Sequence, residues 1–259
     1  MAEAMVKGFL QSGVRGKDDV VIMDPAQARR DVMSSTYGVT CFPAEKTDEC
    51  IKGAAVVIVA VKPQYLEPAL AGIAPHVGSD ALVVSIVAGS SLARLSGLLP
   101  SARRFIRVMP NTPCLVGEAA SAFCLGDHAT RDDAALVRTL MGSVGEIVEV
   151  PERQIDAVTG LSGSGPAYVY MLIEAMSDGG VAAGLSRPIA TKLAAKTVCG
   201  AAKMVLDTGK HPGELKDQVT SPAGTTIAGV RSLESNKMRS AVIEAVLAAA
   251  NRANELSRL

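Results

Sequence analysis

Residues 56–64 read V-V-I-V-A-V-K-P-Q, and this stretch decides the fold class. Residues 56–60 are all apolar and mostly β-branched, which is typical of a strand that is buried on both faces of a sheet. Pro63 then suits the first turn of a helix, because its fixed φ is compatible with that position. A buried strand that leads directly into a helix indicates an α/β unit with a parallel sheet.

The same alternation of strand and helix runs through the first half of the chain. Short apolar runs predict strands at 20–23, 56–60, 82–87, 105–109, 121–125 and 146–150. Amphipathic spacing predicts helices at 1–10, 25–33, 63–73, 92–98 and 130–141. Strands that alternate with helices in this way predict a Rossmann-type, doubly wound parallel sheet.

The second half of the chain has no strand pattern after about residue 151. Helices are predicted at 155–161, 165–184, 187–208, 212–219, 225–233 and 237–258. Their inner faces are rich in alanine, which lets helix backbones approach closely. We therefore predict two domains, an α/β domain at 1–151 and an all-helical domain at 152–259.

Composition excludes several classes of protein. Lys and Arg together number 26 and Asp and Glu also number 26, so the basic surplus of a nucleic-acid-binding protein is absent. The longest apolar run, residues 54–61, is too short to cross a membrane. The five cysteines are widely scattered without a C-x-x-C pair and the three histidines form no cluster, which argues against a disulfide scaffold or a metal site. We expect a protein of the cytoplasm.

The phosphate-binding turn of a dinucleotide fold is missing from the sequence. Such folds open with a strand and a G-x-G-x-x-G turn, whereas this chain opens directly on a predicted helix. Among the 24 glycines only Gly163 and Gly165 are two residues apart, and Tyr168 occupies the third glycine position of that pattern. Either the fold does not bind a nucleotide, or its first strand and glycine turn lie upstream of Met1.

Two short segments follow predicted strands, at the edge where open α/β sheets bind ligands. Residues 62–64 read K-P-Q, which is also compatible with an ordinary strand-to-helix turn. Residues 107–113 read R-V-M-P-N-T-P, and the two prolines predict a rigid loop that serves a ligand or only connects two elements.

Two segments of the second half carry clustered small and hydroxyl residues. Residues 160–164 read G-L-S-G-S, which superficially suggests a G-x-S-x-G nucleophile elbow. No strand precedes them and Ser164 replaces the last glycine, so a serine hydrolase is excluded. Residues 221–226 read S-P-A-G-T-T and open a predicted helix. Free N–H groups at such a helix start suit a small carboxylate, although a plain Ser/Thr cap is the alternative.

Together these strings identify a family resemblance. The segments are A-V-K-P-Q at 60–64, R-V-M-P-N-T-P at 107–113, D-A-V-T-G-L-S-G-S-G-P-A-Y at 156–168, D-G-G-V-A-A-G-L at 178–185, H-P-G-E-L-K-D at 211–217 and S-P-A-G-T-T-I at 221–227. In this order and spacing they resemble the pyrroline-5-carboxylate reductases, from residue 1 to about residue 256. The resemblance implies an oxidoreductase that reduces the C=N bond of 1-pyrroline-5-carboxylate to give L-proline, the last step of proline biosynthesis.

The resemblance implies NADPH or NADH as the cofactor and assigns residues to its groove. The opening M-A-E-A-M is similar to the family's sequence just after its two glycines. The implied cofactor residues are Ala2, Asp24, Ala60, Lys62, Pro63, Ala88, Gly89, Asn111 and Gln218. Asp24 would bind a ribose hydroxyl and favour NADH, whereas Arg29 and Arg30 are within reach of a 2′-phosphate, so the preference stays open.

The implied substrate site lies in the helical domain. Ser221, Gly224, Thr225 and Thr226 would form the substrate loop, with backbone amides on the carboxylate. Thr226 would be the catalytic residue, with its hydroxyl directed at the imine nitrogen. No metal is implied. Family members associate through the helical domain, so a homodimer or a higher homo-oligomer is expected.

Three departures from the family's pattern bear on this interpretation. Ala223 stands where the family usually has glycine, which is harmless if its φ is negative. Ser186 replaces a proline before Arg187, with an effect limited to a helix start. The missing strand and glycine turn would leave two unpaired sheet edges and remove backbone donors for the pyrophosphate. We expect that the natural chain extends upstream of Met1.

Two other functions compete with the reductase. A truncated, cofactor-deficient paralogue would act as a structural or regulatory subunit through its intact helical domain. A hydroxyacid dehydrogenase would need a catalytic lysine on the first long helix of the second domain, and residues 165–184 contain no lysine.

Overall fold

The computed structural model describes residues 1–257. It divides into two compact units, which are described separately. The sheet unit comprises Met1–Ser164 together with the chain from Leu247 onward, and the helical unit comprises Gly165–Val246. The predicted domain boundary between residues 151 and 152 rests on where the strand pattern stops and remains a prediction.

The sheet unit contains a two-stranded sheet and a five-stranded sheet whose strands alternate with helices along the chain. Its strands are β1 (Val21–Met23), β2 (Thr40–Phe42), β3 (Val56–Val59), β4 (Leu82–Ser85), β5 (Arg104–Met109), β6 (Ala119–Leu125) and β7 (Gly145–Glu149). Its helices are α1 (Ala2–Gln11), α2 (Gln27–Tyr37), α3 (Thr47–Ile51), α4 (Leu66–Ile73), α5 (Leu92–Leu98), α6 (Arg131–Gly142) and α7 (Ile155–Val158). All the predicted strands and helices of residues 1–150 are present, with ends shifted by a few residues.

The sheet is interrupted between β1 and β3. β1 pairs with β2, and β3 to β7 form a second sheet in chain order. Within the described residues no backbone ladder joins β1 to β3. The predicted Rossmann-type arrangement of strands that alternate with helices is confirmed.

One strand runs against the predicted direction. β3, β4 and β5 are parallel, but β5 and β6 are antiparallel, with Met109 opposite Ala122. Only residues 110–118 connect them, and a parallel crossover needs about a dozen residues or more. The predicted doubly wound sheet is present, but it is not parallel between β5 and β6, because the proline-rich loop is too short for a parallel crossover.

The core follows from the apolar strands. All four residues of β4 are buried, and Ile106 on β5 and Phe123 on β6 are 0% exposed. Helices cover both faces of the sheet, so its strands carry almost no polar residues. Ser85 and Ser121 are buried hydroxyl residues in these strands, and Arg107 is the one buried charged residue among the described strands, at 3% exposure within β5.

Two elements were not predicted, and one predicted helix is shorter. β2 and α3 are only three and five residues long, which is too short to show a period. The predicted helix at 155–161 ends early: α7 is followed by a π-type turn at Thr159–Gly163, in which Ser164 N–H donates to the carbonyl of Thr159 at 2.8 Å.

The helical unit contains α8 (Gly165–Ala182), α9 (Arg187–Thr208), α10 (Pro212–Gln218) and α11 (Thr225–Ser235). The helix α12 (Met238–Ser257) begins in this unit and ends in the sheet unit. The predicted helix at 237–258 corresponds to α12, and its last residue lies outside the described residues. A side chain on Gly180 would come within 3.1 Å of Ala190 Cβ, so small residues do bring α8 and α9 together. No helix of the described residues is long and apolar enough to span a membrane.

Candidate functional site

The carboxyl ends of three parallel strands form one edge of the larger sheet. In the ladder, Val59 and Ser85 lie side by side at the ends of β3 and β4, and Arg107 lies beside Ser85 on β5, two residues before that strand ends at Met109. Ligands of open α/β sheets bind outside this edge. The predicted cofactor residues Ala60, Lys62, Pro63, Ala88, Gly89 and Asn111 all belong to the segments that leave these three strands.

The loop at residues 86–91 follows β4 and is here called the β4 loop. Gly89 has a φ of +71°, a left-handed conformation that favours glycine. A Cβ on Gly89 would lie 3.3 Å from Leu256 Cβ, so the end of α12 lies against this loop. Next to it, Ser90 is 1% exposed, and its hydroxyl has no hydrogen-bond partner among the described residues.

Asn111 has both ends of its carboxamide engaged by the main chain. Its Nδ2 donates to the carbonyl of Ser162 at 3.0 Å, and its Oδ1 accepts the N–H of Ala120 at 3.0 Å. The side chain therefore connects the end of β5 to the start of β6 and to the π-type turn. One amide hydrogen and one oxygen lone pair are left for other partners.

The end of β1 carries an acid and two arginines. Asp24 Oδ1 accepts the N–H of Ala26 at 2.8 Å, which turns the chain toward α2. Arg30 Nη1 donates to the carbonyls of Asp24 at 2.7 Å and Pro25 at 2.8 Å. The Arg30 guanidinium is thus fixed beside Asp24, the residue that the family resemblance assigns to the ribose of the cofactor.

The start of α1 lies beside α2. Met1 occupies the N-cap position without a side-chain cap, so the first-turn N–H groups that begin at Ala2 are unsatisfied by any cap side chain. Arg29 donates to Glu3 Oε2 at 2.7 Å, and this hydrogen bond lowers the pKa of Glu3 despite some burial. An uncapped helix start, two arginines and a strand-end carboxylate suit the phosphates and ribose of a dinucleotide.

The substrate loop predicted at residues 221–226 lies in the helical unit. The N–H of Gly224 donates to the carbonyl of Ser221 at 3.1 Å, which closes a turn before α11. Gly224 is the N-cap of α11 and no side chain caps this helix, so its first N–H groups point out of the turn. Thr225 is exposed and Thr226 is half-buried in the first turn.

Ala223 adopts a strained conformation in that loop. Its φ is +56°, so the condition under which the extra methyl would be harmless is not met. A left-handed conformation costs an L-amino acid with a Cβ about 1–2 kcal/mol. This residue is therefore a local source of strain next to Gly224.

Gln218 ends α10, also in the helical unit. Its Nε2 donates to Glu214 Oε1 at 3.0 Å on the same helix, and the side chain is exposed. Its predicted place near a nicotinamide ring remains a prediction.

Sequence reasoning did not single out the charged group buried in β5. Arg107 Nη2 lies 3.4 Å from Asp156 Oδ1, and Nη1 lies 3.6 Å from Glu152 Oε1. Cys124, opposite Arg107 in the ladder, adds no charge, because burial and then Glu152 raise its pKa to about 11. The signal was available: an arginine inside an apolar strand must have acidic partners elsewhere.

Comparison with known proteins gives matches over both halves of the chain. The family model described as "Pyrroline-5-carboxylate reductase dimerisation" matches residues 152–256. The family model described as "NADP oxidoreductase coenzyme F420-dependent" matches residues 1–89.

Full-length relatives and solved structures agree with these matches. The chain is 49% identical to the pyrroline-5-carboxylate reductase of Arabidopsis thaliana, over 100% of this chain and 92% of that protein. It is 45% identical to the same enzyme of Synechocystis, over 100% of this chain and 95% of that protein. The NADP-bound crystal structure of the Plasmodium falciparum pyrroline carboxylate reductase superposes with a TM-score of 0.87 at 31% identity, covering 98% of this chain and 93% of that chain.

Proposed function

Because the chain belongs to the pyrroline-5-carboxylate reductase family, we propose that it reduces 1-pyrroline-5-carboxylate to L-proline with NADPH or NADH. The observation that carries this proposal is the 49% identity that extends over the whole of the chain. The comparisons give no support to the alternative of a cofactor-deficient structural or regulatory subunit.

The reaction needs a hydride donor, a held carboxylate and a polarised imine. The reduced nicotinamide supplies the hydride that adds to the C=N carbon. A protonated imine accepts a hydride more readily than a neutral one, so the protein must place a hydrogen-bonding group at the ring nitrogen. Positioning and electrostatics can supply much of the remaining reduction of the activation barrier.

The start of α11 provides groups of the required kind. Its uncapped N–H groups and the positive end of the helix dipole would bind the substrate carboxylate, with Ser221, Gly224 and Thr225 shaping the loop. The hydroxyl of Thr226 would contact the imine nitrogen. Thr226 is half-buried, which limits competition from water.

The sheet unit provides the groups for the dinucleotide. Ala60, Lys62 and Pro63 after β3, and Ala88 and Gly89 after β4, would line the groove. Ala2 at the start of α1 and Asp24 at the end of β1 would bind the phosphates and the ribose. Asn111 and Gln218 complete the proposed set.

The chain is further proposed to form a homodimer or a higher homo-oligomer through residues 152–256. The helical unit of a single chain exposes large apolar side chains, among them Met171 at 69% and Leu206 at 71%. Such side chains favour burial against a second copy. A place in the cytoplasm and the absence of any nucleic-acid partner belong to the same proposal.

The reductase activity is tested by following oxidation of NADPH and NADH in the presence of 1-pyrroline-5-carboxylate. The matched variants are Thr226→Ala and Thr226→Ser. We expect Thr226→Ala to lower kcat by about 10²-fold or more, the usual contribution of a positioned proton donor, and Thr226→Ser to retain most of it. A folded, oligomeric wild-type chain without turnover would refute the proposed activity. An equal loss of kcat in both variants would refute the role of the Thr226 hydroxyl.

A further inference from the structure

Arg107 is the charged side chain most deeply buried in the larger sheet. Its side chain is 4% exposed, whereas those of Glu152 and Asp156 are 37% and 20% exposed. Burying a guanidinium without a partner is costly, and the two carboxylates offset that cost. The proposed reaction uses none of these three side chains, although Arg107 lies beside Ser85, near the edge of the sheet at which the cofactor is proposed to bind.

Glu152 connects Arg107 to the end of the β4 loop. Its Oε1 accepts the N–H of Leu92 at 2.7 Å, the first residue of α5. The same oxygen faces Arg107 at 3.6 Å. A charge-assisted hydrogen bond therefore fixes the point at which the β4 loop becomes helical.

Asp156 connects Arg107 to the last turn of α12. Its Oδ2 accepts from Asn254 Nδ2 at 3.3 Å, and its Oδ1 accepts from Ser257 Oγ at 3.3 Å. Between these two residues stands Leu256, whose Cβ lies 3.3 Å from the position of a Cβ on Gly89. The last turn of α12 thus reaches the middle of the β4 loop.

Two chains of contacts, here called the Glu152 arm and the Asp156 arm, both begin at the Arg107 guanidinium and both end on the β4 loop. We propose that Arg107 is a positioning residue for the cofactor, which acts through Glu152 on the end of the β4 loop and through Asp156 and α12 on Gly89. The proposal rests on the proposed function, in which Ala88 and Gly89 line the cofactor groove. It assigns to residues outside the groove a share of the affinity for the dinucleotide.

The two arms can be loosened separately without removing Arg107. Glu152→Gln keeps an oxygen that accepts from Leu92 and loses the charge that faces Arg107, whereas Glu152→Ala loses both. The double variant Asn254→Ala/Ser257→Ala frees the end of α12 and leaves the Arg107–Asp156 contact in place. Arg107→Met removes the common origin, and Arg107→Lys restores the charge.

Arg104 gives a matched control on the same strand. It lies at the amino end of β5 and pairs with Asp133 at 2.7 Å, with side-chain exposures of 32% and 5%. Arg104→Met should lower Tm, because Asp133 loses its cationic partner, while the β4 loop is untouched.

The experiment measures the Kd of NADPH by nicotinamide fluorescence, together with Tm and the KM of each substrate. We expect Glu152→Ala and Arg107→Met to raise the Kd and KM of NADPH by about tenfold, within the range that misplacement of a positioning group costs. The Kd and KM of NADPH for Glu152→Gln, for Arg107→Lys and for Asn254→Ala/Ser257→Ala should lie between those values and the wild-type values. The KM of pyrroline-5-carboxylate should stay within about twofold throughout.

The outcomes separate this proposal from the reductase assignment. Variants that lower Tm as Arg104→Met does, with an unchanged Kd for NADPH, would show a purely structural role and overturn the proposal. A wild type that binds NADPH but does not turn over would contradict the proposed function alone, since the Kd comparison still holds. A wild type that binds neither dinucleotide would overturn both.

Discussion

The hydroxyl oxygen of Ser221 lies 2.2 Å from the point at which a Cβ would stand on Gly224. Gly224 has a φ of −79°, which any residue adopts, so the need for glycine here is steric rather than conformational. Any side chain at this position must displace the Ser221 hydroxyl, and its Cβ would also lie 3.2 Å from the Ser221 carbonyl oxygen in the loop that is proposed to hold the substrate.

Gly224→Ala is therefore expected to weaken substrate binding. The methyl group displaces the hydroxyl of Ser221, and the KM of pyrroline-5-carboxylate should rise by about tenfold, with little change in the KM of NADPH. Steady-state kinetics in both substrates check this. Gly229→Ala is the control, since a Cβ there meets nothing within 4 Å on the same helix. Similar kinetics in the two variants would contradict a substrate role for the loop.

Ala223→Gly is expected to stabilise the protein. It relieves the left-handed conformation at φ +56°, and about 1 kcal/mol should be gained after the entropy cost of glycine is subtracted. For a chain of this size the melting temperature should rise by about 2–4 °C. Ala228→Gly, inside α11, should have the opposite sign, because glycine disfavours a helix by about 1 kcal/mol. Calorimetry of both variants decides the matter.

Asn111→Asp should destabilise the sheet unit although it changes few atoms. The new oxygen would face the carbonyl of Ser162 in place of the amide donor, and leaving a buried acceptor unpaired costs about 1–3 kcal/mol. Urea unfolding at neutral pH measures the loss. Asn236→Ala removes an exposed bond to Ser232 and should change stability by less than about 0.5 kcal/mol. Equal losses of stability at the two sites would show that the hydrogen bond from Asn111 to Ser162 does not stabilise the sheet unit.

Arg30→Ala is expected to shift cofactor preference toward NADH. The guanidinium is fixed at the end of β1 by the carbonyls of Asp24 and Pro25, where it can pair with a 2′-phosphate. The ratio of kcat/KM for NADPH over NADH should fall by about tenfold, with NADH kinetics nearly unchanged. Arg131→Ala, whose side chain is 81% exposed, is the control. An unchanged ratio in Arg30→Ala would place the 2′-phosphate elsewhere.

The buried thiol of Cys124 should make stability fall at alkaline pH. Burial raises its folded pKa from 9.0 to about 11, so the folded thiol stays neutral while the unfolded one ionises. Its contribution is complete below pH 9 and is lost as the pH rises toward 11. Relative to Cys124→Ala, the wild type should lose about 3 kcal/mol at most over this window. Parallel pH profiles of the two proteins would contradict the raised pKa.

Most of the fold could be predicted because its elements have strong local signals. The runs of β-branched residues in β3, β4 and β5 and the proline and glycine boundaries of α9 and α10 are readable from a few adjacent residues. β2 and α3 were not predicted, because three and five residues are too few to show the hydrophobic periodicity of a strand or a helix. The predicted direction of β6 was wrong because the direction depends on the length of the loop before it. The sequence analysis used that loop only for the rigidity that its prolines imply.

The site could be predicted only as residues, not as contacts. The segments after the strands and before α11 were identified from their similarity to a family, whereas Arg107, Glu152 and Asp156 meet only after folding. The side chain of Asn254 reaches Asp156 across 98 residues of sequence. No local sequence pattern predicts a contact over such a separation. The positive φ of Ala223 could not be predicted either, because it depends on the turn that Ser221 and Gly224 close.

The strands β3 to β7 follow one another in space in the order in which a ribosome releases them. Each strand can pair with the one synthesised just before it, so the larger sheet can grow during translation without waiting for distant segments. The last turn of α12 arrives only after every strand has left the ribosome. The contacts of Asp156 with Asn254 and Ser257 can therefore form only after every strand of the sheet has been synthesised, so the β4 loop can gain this support only late in biosynthesis.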